Sequence, residues 1–216
     1  MVRTPVASLK TPVQARSVAS YERLVAATRA VLEEKSFDEA TVAEIAARAG
    51  LTVGAFYARF EDKEALLRHL EELLFDEMRA LVADVALRAD RRESAPAELV
   101  GDLVAALGGV YRSSRAVCRA LVLRSRTDAP LRERLRALNR ENIGRIVGTL
   151  AASGSIDHEE PEKALEFALL AERSVLREAI LFGEGFALGR GWDDEALLEE
   201  TTRMIVRYLG LPEEGT

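Results

Sequence analysis

The sequence predicts an all-α protein of about nine helices. Proline, which interrupts helices, occurs six times in 216 residues and is absent between Pro12 and Pro96. Alanine, leucine, glutamate and arginine dominate, and no run alternates β-branched and polar residues as a half-buried strand would. Apolar residues instead recur every three or four positions, which is the period of an amphipathic helix.

The helices follow one another with short connections. The first is predicted from Ser17 to Lys35, because Tyr21, Leu24 and Leu32 fall on one face. Two short helices near 41–49 and 52–59 precede a long helix at 62–89, whose leucines repeat at helical spacing. Pro96, Pro130 and Pro161 mark later helix starts. The remaining predicted helices lie at 96–112, 114–125, 130–151, 161–183 and 193–209.

Composition narrows the class of protein. A hydrophobic content of 48% with 31% charged residues is ordinary for a globular chain. The single cysteine, Cys118, excludes an intrachain disulfide, and no apolar stretch is long enough to span a bilayer. We read no signal peptide and therefore expect a cytoplasmic protein without a membrane partner. His69 and His158 are far apart in sequence, so we expect neither a metal site nor a cofactor.

The informative stretch runs from Thr41 to Leu66, TVAEIAARAGLTVGAFYARFEDKEAL. Thr41 and Glu44 have the spacing of a capping box, and Gly50 stands where the first short helix must end. Thr52 can cap the second short helix, and Phe56 provides an apolar anchor. Two short helices with a glycine in the turn describe a helix-turn-helix, whose second helix can enter a DNA major groove.

This stretch resembles the tetracycline-repressor (TetR) family of transcriptional regulators, over about residues 17–66. The matching residues are Thr41, Val42, Ile45, Ala46, Ala49, Gly50, Leu51, Thr52, Gly54, Phe56, Tyr57, Phe60, Lys63, Glu64 and Leu66. So many matches at fixed spacing form a specific signal. The resemblance implies a flexible basic arm at 1–16, a three-helix, homeodomain-like DNA-binding domain at 17–63 and a helical effector-binding and dimerisation domain at 64–216.

The resemblance also implies roles for single residues. Thr41, Tyr57 and Lys63 would contact DNA phosphates. The start of the second short helix would contact bases or approach the DNA backbone closely, through Thr52, Val53, Gly54 and Ala55. Arg59 departs from the family, where many members have histidine or an aromatic residue, and it can take a phosphate or a guanine edge. The expected partner is a palindromic double-stranded DNA operator.

The C-terminal part is expected to dimerise and to bind an unknown small-molecule effector. By resemblance, the helices near 161–183 and 193–209 pair across a two-fold axis, and the homodimer is Ω-shaped. The candidate effector-binding residues are Tyr111, Cys118, Asn142, Ile143 and Phe167. By resemblance, ligand binding would move the long helix and release DNA. The resemblance implies a repressor, and activation is the alternative that the sequence leaves open.

Alternatives remain open on the sequence alone. The net charge is −6, and residues 112–145 contain ten arginines against three acids, which favours charge pairing within the chain over a site for an anionic effector. A helical ligand-binding protein that has lost DNA binding is the second functional hypothesis. A helical-bundle enzyme ranks last, because no nucleophile–base pair or metal-ligand set is recognisable.

Overall fold

The all-α prediction is confirmed by a computed structural model that describes residues 15–91, 94–151, 154–183 and 193–212. In these ranges the regular elements are helices, with no β-strand. They are α1 (Ala15–Glu34), α2 (Val42–Arg48), α3 (Val53–Tyr57), α4 (Lys63–Asp90), α5 (Pro96–Ser113), α6 (Arg115–Arg124), α7 (Ala129–Leu150), α8 (Pro161–Phe182) and α9 (Asp194–Tyr208). No described helix is long and apolar enough to cross a membrane.

The observed bounds of these helices lie within two residues of the predicted ones. One boundary needs correction: α1 begins at Ala15, so Ala15 and Arg16 are helical although the sequence placed them in a flexible arm. Nothing between Pro12 and Ser17 breaks a helix, which explains the earlier start. The rest of the predicted arm, residues 1–14, lies outside the described residues.

The chain divides into two compact units. The N-terminal unit contains the residues up to Phe75 together with Ala116–Arg124, and the C-terminal unit contains Asp76–Arg115 and the residues from Ser125 onward. The N-terminal unit therefore includes α6, which is remote in sequence from the predicted DNA-binding domain. The helix α4 begins in one unit and ends in the other.

The N-terminal unit is built around a core of large apolar side chains from α1 to α4. Leu24, Ile45, Phe56 and Leu66 are fully buried. Beside this core, Tyr21 Oη and His69 Nε2 are 2.5 Å apart and join α1 to α4. Burial lowers the pKa of His69 and raises that of Tyr21, because both charged forms lose hydration.

The C-terminal unit is a helical bundle in which α5, α7 and α9 pack against α8, and α5 also packs against α9. The helices α5 and α9 approach closely at Gly108, where a Cβ atom would collide with the Leu198 side chain. The described core of the bundle is largely apolar, but it contains the hydroxyl residues Ser114 and Thr201 and the fully buried side chain of Glu172 on α8.

Glu172 makes the stability of the chain depend on pH. Burial raises the pKa of this carboxyl from its ordinary value of 4.5 to about 8, since the ionised form would lie in an apolar core. The folded protein keeps a proton that the unfolded chain releases above about pH 4.5. The stability contributed by this proton is complete below that pH and disappears as the pH rises through about 8.

We expect the free energy of unfolding to fall by up to about 1.4 kcal/mol per pH unit across this window. Glu172→Gln removes the titrating group and should flatten this dependence, and it should be the more stable protein at pH 8.5. Denaturant unfolding at pH 5.5, 7 and 8.5 measures both. Parallel pH profiles of the two proteins would contradict the assignment.

Candidate nucleic-acid interface

The capping box predicted at the start of α2 is present. The Thr41 hydroxyl oxygen accepts from the Glu44 backbone N–H at 3.2 Å, and the Thr41 backbone N–H donates to Glu44 Oε2 at 2.9 Å. The Thr41 hydroxyl also donates to Glu44 Oε2. Both donors of Thr41 are thus engaged by a carboxylate. A DNA phosphate at Thr41, which stays a prediction, would compete with Glu44 for them.

The turn between α2 and α3 has the geometry that the sequence predicts. Gly50 has a φ of 64°, in the left-handed region that glycine enters at least cost. Thr52 then caps α3, because its hydroxyl oxygen accepts from the Ala55 N–H at 3.1 Å. The two short helices are therefore fixed by local hydrogen bonds and one special backbone conformation.

The helix α3 is anchored by one face and exposes the other. Phe56 is fully buried, and its ring packs against those of Tyr57 and Phe60. Tyr57 itself is 50% exposed, Val53 is 42% exposed, and Thr52 and Gly54 are also exposed. Among the predicted contact residues, Ala55 and Arg59 are half-buried. This exposed face is the surface that α3 offers to a partner.

Lys63, at the start of α4, holds the segment that precedes α2. Its ammonium donates to the backbone carbonyls of Phe37, Asp38 and Ala40 at 2.9, 3.1 and 3.0 Å. The same ammonium lies 4.7 Å from the centre of the Phe37 ring. A lysine ammonium has three N–H donors, and here each has a carbonyl acceptor. The predicted phosphate contact of Lys63 stays a prediction, and the structure adds a role in positioning.

Two arginines of α6 contact the same corner of the N-terminal unit. Arg124 pairs with Glu64 at 2.7 Å, lies 3.6 Å from an Asp38 carboxylate oxygen, and stacks over the Phe37 ring at 5.2 Å. Arg119 donates to the Leu32 carbonyl at 3.1 Å. Sequence reasoning missed these contacts because more than fifty residues separate the partners. The only local signal was the arginine-rich composition of α6.

Several charges near the helix-turn-helix are already paired. Lys35 binds Glu44 at 2.6 Å, and Arg48 binds Glu34 at 2.6 Å. The Lys35 ammonium and the Thr41 donors lower the pKa of Glu44 to about 2, so this carboxylate stays ionised at neutral pH.

Two arginines remain available at this surface. The guanidinium group of Arg59 has no hydrogen-bond or ion-pair partner among the described residues. Arg23 on α1, which sequence reasoning also missed, is exposed beside the turn, with its Nη1 3.7 Å from the point where a Cβ of Gly50 would lie.

The predicted effector-binding residues lie on four helices, α5, α6, α7 and α8. Tyr111 on α5 and Cys118 on α6 are buried, but Cys118 belongs to the N-terminal unit and Tyr111 to the C-terminal unit. Asn142 and Ile143 are half-buried on α7. Phe167 is 58% exposed and packs against Tyr208, so it lies on the outside of the C-terminal unit. A role of these residues in binding an effector stays a prediction.

An open groove of about 790 Å³ lies between α5 and α9, lined by Ala97, Gly101, Ala105, Arg112, Glu195, Leu198, Glu199, Thr202, Arg203 and Val206. None of the predicted effector-binding residues is among them. In the described ranges, no group of three or more histidine, cysteine, aspartate or glutamate side chains is arranged to hold a metal ion.

Many arginines of the basic segment 112–145 are paired within their own unit. Besides Arg119 and Arg124, Arg132 donates to the carbonyls of Ser125 and Arg126, and Arg140 binds Glu133. These contacts favour charge pairing within the chain as the explanation of the segment.

Comparison with known families matches residues 24–70 to the model of the bacterial regulatory proteins of the tetR family. This range contains α2, α3 and the capped turn between them. The comparison with curated proteins gives no significant match.

Solved structures share the fold over most of the chain. The regulator MbdR from Azoarcus sp. CIB superposes with a TM-score of 0.68 at 18% identity, covering 88% of this chain and 98% of that one. The fatty acid degradation regulator FadR from Bacillus halodurans gives 0.67 at 18% identity, covering 89% and 97%. FadR from Bacillus subtilis, solved in complex with stearoyl-CoA, gives 0.65 at 17% identity, covering 86% and 97%.

The helix-turn-helix predicted from the sequence is present in the structure. The resemblance seen in the sequence is confirmed over residues 24–70, which match the tetR-family model.

Lys63→Met should lower the free energy of unfolding by about 1–3 kcal/mol, because three carbonyls lose their charged donor while the apolar stem of the side chain is kept. Arg68→Met, the matched control, changes an exposed cation on the same helix and should shift stability by less than about 0.5 kcal/mol. Denaturant unfolding followed by circular dichroism measures both. Equal effects of the two substitutions would exclude the positioning role of Lys63.

Proposed function

We propose that this chain is a ligand-responsive transcriptional repressor that binds a palindromic DNA operator as a homodimer and releases it when a small-molecule effector binds. The observation that carries the proposal is the exposed face of α3. Its N-terminal residues are exposed, while Phe56 fixes the helix from behind. An α-helix held in this way can enter a major groove without rearrangement.

The roles proposed at the interface follow from chemistry and exposure. The phenol of Tyr57 and the guanidinium groups of Arg59 and Arg23 can bind phosphate oxygens, and Arg59 can alternatively read a guanine edge. Val53 and Ala55 offer only apolar contacts, such as to thymine methyl groups. Thr52 and Gly54 allow the DNA backbone to approach closely.

The proposed dimer uses the outer faces of α8 and α9. Phe167 and Leu170 on α8 are 58% and 54% exposed, and Met204 and Tyr208 on α9 are 42% and 41% exposed. The rings of Phe167 and Tyr208 lie 5.6 Å apart, so exposed apolar side chains of the two helices meet at this point. Burial of such a surface against a second copy removes it from water. Other apolar residues of these helices, such as Leu165 and Ile205, are already buried within the chain.

An effector acting on the C-terminal unit could change DNA binding through two helices. The helix α4 continues from that unit into the N-terminal unit, and α6 is joined to the C-terminal unit at both ends. Release requires an effector that binds the DNA-incompetent state more tightly. A structural neighbour that carries stearoyl-CoA supports a small-molecule ligand for this fold. The second hypothesis, a ligand-binding protein without DNA binding, would keep the effector site and the dimer.

In vitro selection from random duplex DNA at about 150 mM salt tests the DNA-binding role, because non-specific binding is weak there. We expect enrichment of a palindrome whose half-sites are roughly 34–36 Å apart. Arg59→Ala should either lower the salt slope of binding by about one unit or relax one position of the enriched sequence, while Arg68→Ala, the control, should do neither. No enrichment by folded, dimeric protein would favour the second hypothesis.

Phe167→Asp should convert the dimer to a monomer, because a charge would be buried in the proposed interface. Leu87→Asp changes a residue on α4 that is 46% exposed and should leave the mass unchanged. Light scattering at micromolar concentration gives the mass directly. A dimeric Phe167→Asp protein would place the interface elsewhere. A monomeric wild type would exclude the dimer.

A further inference from the structure

The buried carboxyl of Glu172 has no partner. Both of its oxygens are inaccessible to solvent, and no donor lies within hydrogen-bond distance of either. On α8 its neighbours one turn and two turns away are Leu165, Ala168, Leu169 and Leu176, all of them buried and apolar. Buried polar groups in folded proteins are almost always hydrogen-bonded, because an orphaned one costs the full desolvation free energy.

The helices packed against α8 do not supply the missing partner. The buried residues of α5, α7 and α9 carry no charge, and Tyr111 on α5 is the one titratable group among them. The charge that acts on Glu172 is that of Arg173, its neighbour on α8, which is partly solvent-exposed. Tyr111 acts electrostatically on Arg173. Among the described residues, the carboxyl of Glu172 is therefore left without a hydrogen-bond partner.

We propose that Glu172 is the polar anchor of an effector site in the C-terminal unit, and that this site takes a ligand with a protonated amine on an apolar body. The inference rests on the proposed function, since it names the chemical class of the effector. A cationic N–H is the strongest donor that a buried carboxyl can meet, and the apolar stripe around Glu172 matches an aliphatic ligand body.

The protonation state of Glu172 suits such a ligand. In the free protein the carboxyl is neutral at pH 7, because burial raises its pKa to about 8. Ionisation at pH 7 therefore requires only a small displacement of the equilibrium, and a bound ammonium group supplies the opposite charge that makes it favourable. Binding of the ammonium form at pH 7 releases the carboxyl proton to solvent, and the carboxylate and the ammonium then form an ion pair. An anionic ligand would leave the proton in place.

Three probes with the same chain separate these chemistries: n-decylammonium, n-decanol and n-decanoate, each titrated calorimetrically into the full-length protein at pH 7 below its aggregation concentration. We expect decylammonium to bind about tenfold or more tighter than the other two, and to release close to one proton when heats are compared in buffers of different ionisation enthalpy. Tightest binding of decanoate, equal binding of all three, or no binding would overturn the proposal.

Glu172→Gln keeps the shape of the side chain and removes its ability to ionise. It should weaken decylammonium binding about tenfold to a hundredfold, abolish proton release and leave decanol binding unchanged. Glu178→Gln, an exposed position on the same helix, is the matched control and should behave as wild type. If Glu172→Gln binds decylammonium as tightly as wild type, the amine binds elsewhere and the assignment of Glu172 as its anchor is overturned.

The same preparations are assayed for binding to the selected operator without probe. A wild type that binds operator but not decylammonium overturns the amine site and leaves the regulator intact. A wild type that binds decylammonium through Glu172 but binds no operator supports the site and contradicts the proposed function. Release of operator by decylammonium from wild type, and not from Glu172→Gln, is the result expected if both hold.

Discussion

The helix-turn-helix depends on the cations that surround Phe37. The Lys63 ammonium binds three carbonyls of the 37–40 segment, and both Lys63 and Arg124 lie against the Phe37 ring. Because this segment leads directly into Thr41 and α2, the position of α2 follows the first turn of α4. Arg124 also binds Glu64, so the end of α6 is fastened to the same turn. The start of α2, and with it the helix-turn-helix, is thus held by side chains of α4 and α6.

This arrangement gives regulation a physical route. The helix α4 continues past Phe75 into the C-terminal unit, and the chain on both sides of α6 belongs to that unit. A ligand that favoured one arrangement of these helices would act on the contacts that Lys63 and Arg124 make at Phe37. The hydrogen bonds of α2 and α3 themselves are local and would survive such a change. If α4 and α6 moved the helix-turn-helix without changing its internal hydrogen bonds, a ligand could act by shifting the population between a DNA-binding state and a non-binding state.

Features encoded by neighbouring residues could be predicted from the sequence. The capping box at Thr41, the left-handed Gly50 and the buried Phe56 each follow from a pattern a few residues long. The partners of Lys63 and Arg124 could not be predicted, because they depend on how remote segments pack. The burial of Glu172 could have been predicted, because Glu172 falls at helical spacing among the buried apolar residues of α8, where an acid is unusual. Phe167 is also apolar but lies on a different face of α8, so its exposure could not be predicted without knowing how the helices pack.

The distribution of charged residues, rather than the net charge, explains how an acidic chain could bind DNA. Glu34 and Glu44 lie close to the motif, but each is neutralised by a cation of its own, Arg48 and Lys35. Among the described residues near α3, Arg23 and Arg59 are cations without such a partner, so a local contact with phosphate does not require a positive overall charge. Each phosphate contact that they make would add to the salt dependence of binding. Val53 offers an apolar contact, so the shape of the groove and the thymine methyl groups would supply the rest of the selectivity at α3.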